Sequence, residues 1–200
     1  EAMTIGITGS NGKTTTTMLT YHLLKSAGLN VGLGGNIGKS FAWQVAENTY
    51  DAYVLELSSF QLDGIIDYRP DIAIITNISP DHLDRYEYKY ENYIDSKFRI
   101  TKNQTQEDVL IYDADDVAIA EWFKKNKTNA QTIPFSLTKT FENGAFLKNN
   151  KMEVNINAEE FIMETESIAL EGNHNLKNAM VATTVAKLMQ IRKSTIRESL

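Results

Sequence analysis

Cysteine is absent from the 200 residues, so neither a disulfide framework nor a cysteine-ligated zinc site is available to this chain. Positive charge is in short supply: 20 lysines and arginines stand against 26 aspartates and glutamates, a formal net charge of −6. That balance does not suit the neutralisation of nucleic-acid phosphates, although it is compatible with a local positive pocket. No apolar run approaches the roughly 18 residues of a membrane span, and no signal-peptide pattern opens the chain. Internal repeats and low-complexity linkers are missing as well. These absences point to one domain in a reducing cytosol, with no nucleic-acid or membrane partner. The 42% hydrophobic content is enough for such a domain to bury a core of its own.

Hydrophobic patterning along the chain alternates between strand and helix. Residues 4–8 read as a strand that meets a glycine-rich turn, followed by a helix to about Ala27. Met18, Leu19, Leu23 and Leu24 recur there at helical spacing, and Gly28 is the expected stop. Residues 30–33 read as a second strand, leading into the loop Gly34-Gly35-Asn36-Ile37-Gly38. Residues 52–57 and 71–76 are near-continuous apolar runs, the mark of parallel strands covered on both faces. A helix is expected over 90–102, a strand over 108–112 and a helix over 115–126. Near Pro134 the pattern changes, and 135–170 reads as a small antiparallel meander turning at Lys148-Asn149-Asn150-Lys151. A last helix over 175–190 carries Met180, Val181, Val185 and Leu188 on one face. The expected fold is α/β: a mostly parallel, doubly wound sheet of the phosphate-loop type with an attached antiparallel meander.

The strongest local signal is Gly9-Ser10-Asn11-Gly12-Lys13-Thr14-Thr15, between a strand and a helix. Glycines let backbone N–H groups turn inward around phosphate oxygens, and the helix presents its free N–H groups to the same anion. Lys13 would reach the terminal phosphates of a nucleotide, and the Thr14 hydroxyl would meet Mg²⁺. The bland reading is a glycine-rich turn beside an exposed lysine. The commonest form of the motif is not met, because Ile7 stands where its first glycine belongs.

Ligands of open parallel sheets bind beyond the carboxyl ends of the strands. Glu56 and Thr76-Asn77 close two of the strands, and the second leads into Ser79-Pro80-Asp81-His82-Leu83-Asp84-Arg85. Both polar groups therefore converge with the phosphate loop on one edge. Glu56 is a strand-end carboxylate or a hard oxygen ligand for Mg²⁺. His82 is a structural loop histidine or a ligand, whereas His22, within the first helix, has no evident chemical task. Lys97 lies four residues after Tyr93 and three after Ile94, on the apolar side of its helix. It is a lysine that snorkels outward or one that is buried for a reason.

The run Thr8-Gly9-Ser10-Asn11-Gly12-Lys13-Thr14-Thr15 resembles the short phosphate loop of the Mur ligase and folylpolyglutamate synthase superfamily. Leu55-Glu56-Leu57-Ser58-Ser59-Phe60-Gln61-Leu62, Gly34-Gly35-Asn36-Ile37-Gly38 and Asp81-His82-Leu83-Asp84-Arg85-Tyr86 are similar to the D-glutamate-adding branch of the Mur ligases. The resemblance implies a monomeric cytoplasmic bacterial enzyme that ligates D-glutamate to UDP-N-acetylmuramoyl-L-alanine through an acyl phosphate, with ATP and two Mg²⁺ ions. It assigns residues 1–200 to the central ATP-binding domain and places uridine-nucleotide and closing domains, and a family arginine, outside them. It implies Gly9, Ser10, Asn11, Gly12, Lys13, Thr14 and Thr15 around the phosphates, and Asn175 and Asn178 at the adenine. Thr14 and Glu56 would hold one Mg²⁺, and His82 with a carbamylated Lys97 the other. Asn36, Ser58, Gln61 and His82 would line the muramoyl-alanine side, with Lys13, His82 and Lys97 as the catalytic set. Read from its residues alone, Asn175 is equally an N-cap. A folylpolyglutamate synthase-like amide ligase and a non-catalytic nucleotide-binding module are the alternatives.

Overall fold

In a computed structural model, which describes residues 2–200, the chain forms a nine-stranded sheet in the order β2-β3-β1-β4-β5-β6-β7-β8-β9. The strands are β1 (Met3–Thr8), β2 (Val31–Gly35), β3 (Ala52–Glu56), β4 (Ile72–Ile75), β5 (Val109–Asp113), β6 (Gln131–Ser136), β7 (Gly144–Lys148), β8 (Lys151–Ile156) and β9 (Glu159–Glu164). All neighbours from β2 to β7 pair in parallel, and β7, β8 and β9 pair antiparallel. The helices are α1 (Lys13–Ser26), α2 (Phe41–Glu47), α3 (Ser59–Asp63), α4 (Tyr90–Phe98), α5 (Val117–Lys125), α6 (Asn173–Leu188) and α7 (Lys193–Ser199).

Successive strand residues point to opposite faces, and here both faces are covered. Ile5, Ile7, Val54, Ile72, Ile74 and Ile111 pack with residues of α1 and α6 on one side. Ala73, Ile75 and Leu110 pack with Tyr93, Phe98 and Ile119 of α4 and α5 on the other. The registers Ile7↔Glu56, Gly35↔Glu56 and Thr8↔Ile75 bring the carboxyl ends of β1, β2, β3 and β4 to one edge.

The doubly wound parallel sheet matches the sequence expectation, with corrections. The change of pattern at Pro134 is not the start of a meander: Pro134 lies inside β6, which is parallel to β5 and β7. The antiparallel strands extend the same sheet. Met18 is 45% exposed and does not belong to the apolar stripe of α1. The helix expected to reach Lys102 ends at Phe98 and tightens into a 3-10 turn over Arg99–Thr101. The last long helix begins at Asn173, with Gly172 in the N-cap position, so Asn175 is not the cap.

Candidate active site

The phosphate loop is clamped to the extension of β4. Ser10 N–H donates to the Asn77 carbonyl at 2.9 Å, and Asn11 N–H donates to Asn77 Oδ1 at 2.9 Å. Asn77 Nδ2 and Thr76 Oγ1 donate in return to the Asn11 carbonyl, at 2.8 and 2.7 Å. Gly9 needs to be glycine on two counts: its φ is +148°, and a Cβ there would lie 2.0 Å from Thr76 Oγ1. Gly12 takes a left-handed conformation immediately before α1, whose first turn follows with Lys13, Thr14 and Thr15. Lys13 Nζ donates to the carbonyls of Gly9 and Ser10 at 2.8 and 3.0 Å. A loop of this kind directs backbone N–H groups, a helix N-terminus and a lysine at one anion.

Glu56 ends β3 directly beneath this loop and is 2% exposed. Its Oε2 accepts from Thr14 Oγ1 at 2.7 Å, and its Oε1 accepts from Asn36 Nδ2 at 3.1 Å. The Asn36 N–H also donates to the Glu56 carbonyl at 2.7 Å. A hydroxyl from the first turn of α1, a carboxylate at the end of β3 and an amide just past β2 are thus already joined, and the hydroxyl and carboxylate are hard oxygen donors of the kind a magnesium ion prefers. Among the described residues no three His, Cys, Asp or Glu side chains gather as a metal set, so a hydroxyl or another group must complete any such site.

Lys97 is buried, 2% exposed, and reaches the phosphate loop from the opposite side. Its Nζ donates to the Gly9 carbonyl at 3.0 Å and to Thr8 Oγ1 at 3.4 Å, over the ring of Tyr93 at 5.1 Å. Burial, and then the neighbouring Lys13 ammonium, pull its pKa down to about 7. Two lysines therefore share one carbonyl oxygen, that of Gly9. His82 is exposed, left-handed at φ 49°, with Nε2 3.5 Å from Asp81 Oδ2 and its ring edge-on to Phe60. The segment leading to His82 is tied to the phosphate loop, with Ser10 Oγ donating to the Ser79 carbonyl at 3.0 Å.

Ser58 and Gln61 close on each other. Ser58 caps α3 by accepting from the Gln61 N–H, while Gln61 Oε1 accepts from the Ser58 N–H at 2.9 Å and from its hydroxyl at 3.0 Å. Asn178 is buried, accepts from Thr16 Oγ1 at 2.9 Å and donates to Asn175 Oδ1 at 3.4 Å. Asn175 in turn donates to the Glu171 carbonyl at 2.9 Å. A cleft of ≈ 670 Å³ runs from Asn11 and Gly12 past Asn178 to Phe135, Leu137 and Lys177. Its far wall holds an ion-pair cluster that sequence reading did not find: Lys177 Nζ lies 2.7 Å from Asp113 Oδ2 and 3.1 Å from Asp115 Oδ2. Burial pushes the Asp113 carboxyl up, against the Lys177 bonds that lower it. Nothing local announces a pair separated by 64 residues. Tyr93, whose hydroxyl lies 3.1 Å from Ser10 Oγ, was likewise legible only as core.

An edge of parallel strands bearing a phosphate loop, a buried strand-end carboxylate and a buried lysine defines a nucleotide-phosphate-binding α/β domain. Residues 7–186 match the family model of the Mur ligase middle domain, and the chain belongs to that family. It is 60% identical over 200 residues to the UDP-N-acetylmuramoylalanine--D-glutamate ligase of Christiangramia forsetii and 52% identical to that of Bacteroides fragilis. The alignments cover all of this chain and 45% of each relative, so the chain spans about half the length of the ligases it matches. In shape it is similar to a UDP-N-acetylmuramoyl-L-alanyl-D-glutamate--2,6-diaminopimelate ligase, with a TM-score of 0.75 at 21% identity over 98% of this chain and 45% of that one. MurF from Acinetobacter baumannii matches over 100% of this chain and 45% of its own, at 20% identity and a TM-score of 0.75. At those identities the likeness shows the shared fold.

Proposed function

We propose that this chain is the ATP-binding middle domain of a ligase that joins D-glutamate to UDP-N-acetylmuramoyl-L-alanine in bacterial cell-wall synthesis. The observation that carries this reading is the coupling of Thr14 to Glu56 at 2.7 Å beneath the phosphate loop, with Lys97 buried against Gly9. The identity to ligases of that name over the whole chain supports the choice of reactants. Lys13 and the N–H groups of residues 9–15 would hold the phosphates, with Asn175 and Asn178 toward the base in the adjoining cleft. Thr14 and Glu56 would hold Mg²⁺, which when bound would neutralise charge on the transferring phosphoryl group. In the first step a carboxylate oxygen of the nucleotide-linked acid attacks the γ-phosphorus, the β–γ bridge breaks, and ADP leaves. The amine of D-glutamate then attacks the acyl carbon, loses a proton, and inorganic phosphate departs with both electrons of the C–O bond. Preorganised positive charge around the phosphoryl group is the main requirement of such a transfer. Asn36, Ser58, Gln61 and His82 face the acid side in this reading.

Only a neutral amine reacts with CO₂, and a Lys97 pKa of about 7 leaves much of the side chain neutral near physiological pH. The product, a carbamate, would turn a cation into an oxygen ligand for a second Mg²⁺ shared with His82. Lys97→Ala should then lose most turnover while keeping nucleotide affinity, and acetate should restore part of it.

The test of the reading as a whole is phosphate release by the full-length enzyme. Release should require ATP, Mg²⁺, the nucleotide-linked acid and D-glutamate together. Lys13→Ala should weaken ATP binding by roughly ten- to a hundred-fold, the worth of one charged hydrogen bond, without unfolding the protein. Phosphate release that ignores D-glutamate, or unchanged ATP affinity in calorimetry, would overturn it.

A further inference from the structure

We propose that Arg85 is an anion-positioning residue of this site, its guanidinium held on the face of Phe60 to receive a carboxylate of an acidic reactant beside His82. The proposal rests on the ligase reading above. Arg85 Cζ lies 4.8 Å from the centroid of the Phe60 ring, and the His82 ring meets the same phenyl group at 5.3 Å and 60°. Phe60 is left 42% exposed between them.

The arginine is unengaged at its edge. Among the described residues its side chain makes no ion pair and no hydrogen bond, although Asp81 and Asp84 are close in sequence and Asp81 pairs with His82 instead. Arg69 shows the contrasting case, with Nε 2.7 Å from Asp108 and a terminal nitrogen 3.4 Å from Glu107. A guanidinium stacked on an aromatic face commits its plane to that contact and keeps its N–H donors directed outward in a rigid fork. Such a fork matches a carboxylate in a way that a mobile lysine does not.

The two halves of the stack come from elements that are tied together. Phe60 lies in α3, which opens at Ser58 two residues after Glu56. Arg85 lies in the 3-10 turn Leu83–Tyr86, entered at His82. Within that turn Tyr86 is buried and its hydroxyl donates to Asp63 Oδ2 of α3 at 2.9 Å. The turn is bracketed by His82, Glu87 and Tyr88 at φ 49°, 56° and 54°, conformations that non-glycine residues adopt at a cost and that gather at functional sites. The cleft that runs from the phosphate loop to Lys177 is lined by other residues, so the stack is not part of the base side, and its neighbours Ser58 and His82 are those the ligase reading sets toward the acid.

A carboxylate at Arg85 could come from D-glutamate or from the nucleotide-linked acid, and the kinetics of the full-length enzyme separate the two. Arg85→Ala should raise KM for one of these acids by roughly ten- to a hundred-fold and leave KM for ATP within about two-fold. Arg85→Lys should restore only part of the loss, because it returns the charge without the stacked fork, and Phe60→Leu should fall between. All KM values within about two-fold of the parent, or a shift in the ATP value alone, would overturn the proposal. A second readout needs no turnover: phenylglyoxal labelling of Arg85 in the parent enzyme, followed by peptide mapping. D-glutamate, the nucleotide-linked acid or plain glutarate should protect Arg85, and ATP with Mg²⁺ should not. Absence of protection by all three acids in an enzyme that turns over D-glutamate defeats the role of Arg85 alone, whereas a parent without D-glutamate-dependent phosphate release defeats the ligase reading.

Discussion

Lys97 is the residue whose burial works against the stability of the fold. Its ammonium is buried over the Tyr93 ring, shares the Gly9 carbonyl with Lys13, and keeps only Gly9 and Thr8 as acceptors. The folded-state pKa of about 7 lies below the ordinary value of 10.5, so between these pH values the unfolded chain binds a proton that the folded chain does not. Stability contributed by this group is therefore lowest below pH 7 and rises with pH across that window. At about 1.4 kcal/mol per pH unit, the gain from pH 7 to 9 is about 2 kcal/mol. Lys97→Met removes the charge at similar length. The variant should melt above the parent at pH 6, and its advantage should shrink steadily toward pH 9, as read by calorimetry in matched buffers. A difference in Tm that is constant over this range would mean that the ammonium is not disfavoured in the fold. A residue kept at such a cost is better explained by chemistry than by packing.

At the scale of the element, the antiparallel end of the sheet depends on its turns. The β7–β8 turn places Asn149 and Asn150 at φ 50° and 58°, and the β8–β9 turn places Asn157 and Ala158 at 52° and 64°. Paired positive φ values suit the twist of a two-residue hairpin, and asparagine tolerates them. Alanine does not, because its Cβ meets the backbone in the left-handed region at a cost of about 1–2 kcal/mol. Ala158→Gly should therefore stabilise the domain by about 1 kcal/mol, a rise of about 2–4 °C in Tm for a chain of this size. An unchanged or lower melting temperature would place that turn outside the left-handed region. The first of these turns was legible in Lys148-Asn149-Asn150-Lys151, but β6 was not, because Pro134 argues against a strand inside a sheet. The registers explain how it is tolerated: β6 pairs with β5 from Gln131, while pairing with β7 begins at Phe135, one residue after the proline. The short helices were missed for a different reason. Seven residues in α2 and α7, and five in α3, are too few to show a 3.6-residue period, and α2 leaves Trp43 and Val45 exposed. The phosphate loop, Glu56 and the helix face of Lys97 were readable because each is local, a motif or a phase within one element, whereas the choice between a snorkelling and a buried Lys97 was left open until its Nζ was seen on the Gly9 carbonyl. The clamp of Thr76 and Asn77 on that loop, and the Asp113–Lys177 pair, exist only once distant strands align.

Across the whole molecule, the cleft beside the phosphate loop is walled by the last long helix, which is tied both to α1 and to the sheet. Thr16 of α1 donates to Asn178 of α6, and Lys177 of α6 bridges Asp113 at the end of β5 and Asp115 just beyond it. Asp115 also accepts from Ser136, Leu137 and Thr138, so β5, β6 and α6 meet at one charge cluster. The side chain of Asp113 is 6% exposed and that of Lys177 is 21% exposed. Removing one member of a buried pair leaves the other charge without its partner, which costs more than the pair itself contributes. With allowance for the partial exposure of Lys177, Lys177→Met should destabilise the domain by roughly 2–4 kcal/mol at pH 7. The sign of its pH dependence follows from Asp113, whose carboxyl is already pushed up by burial and would rise further without the lysine. A raised carboxyl favours the folded state at low pH, where it is protonated, and loses that contribution as pH climbs through its folded value. The penalty of Lys177→Met should therefore be smallest near pH 4 and grow toward neutrality. Asp113→Asn combined with Lys177→Met should recover much of the loss at pH 7, because the more deeply buried carboxylate is then neutral and Asp115 keeps its bonds from Ser136, Leu137 and Thr138. Denaturant melts of the parent, the single variant and the double variant at both pH values make the comparison. A single variant equally destabilised at both, with no recovery in the double, would show that Lys177 acts through its packed stem and not through the charge that joins β5 to α6.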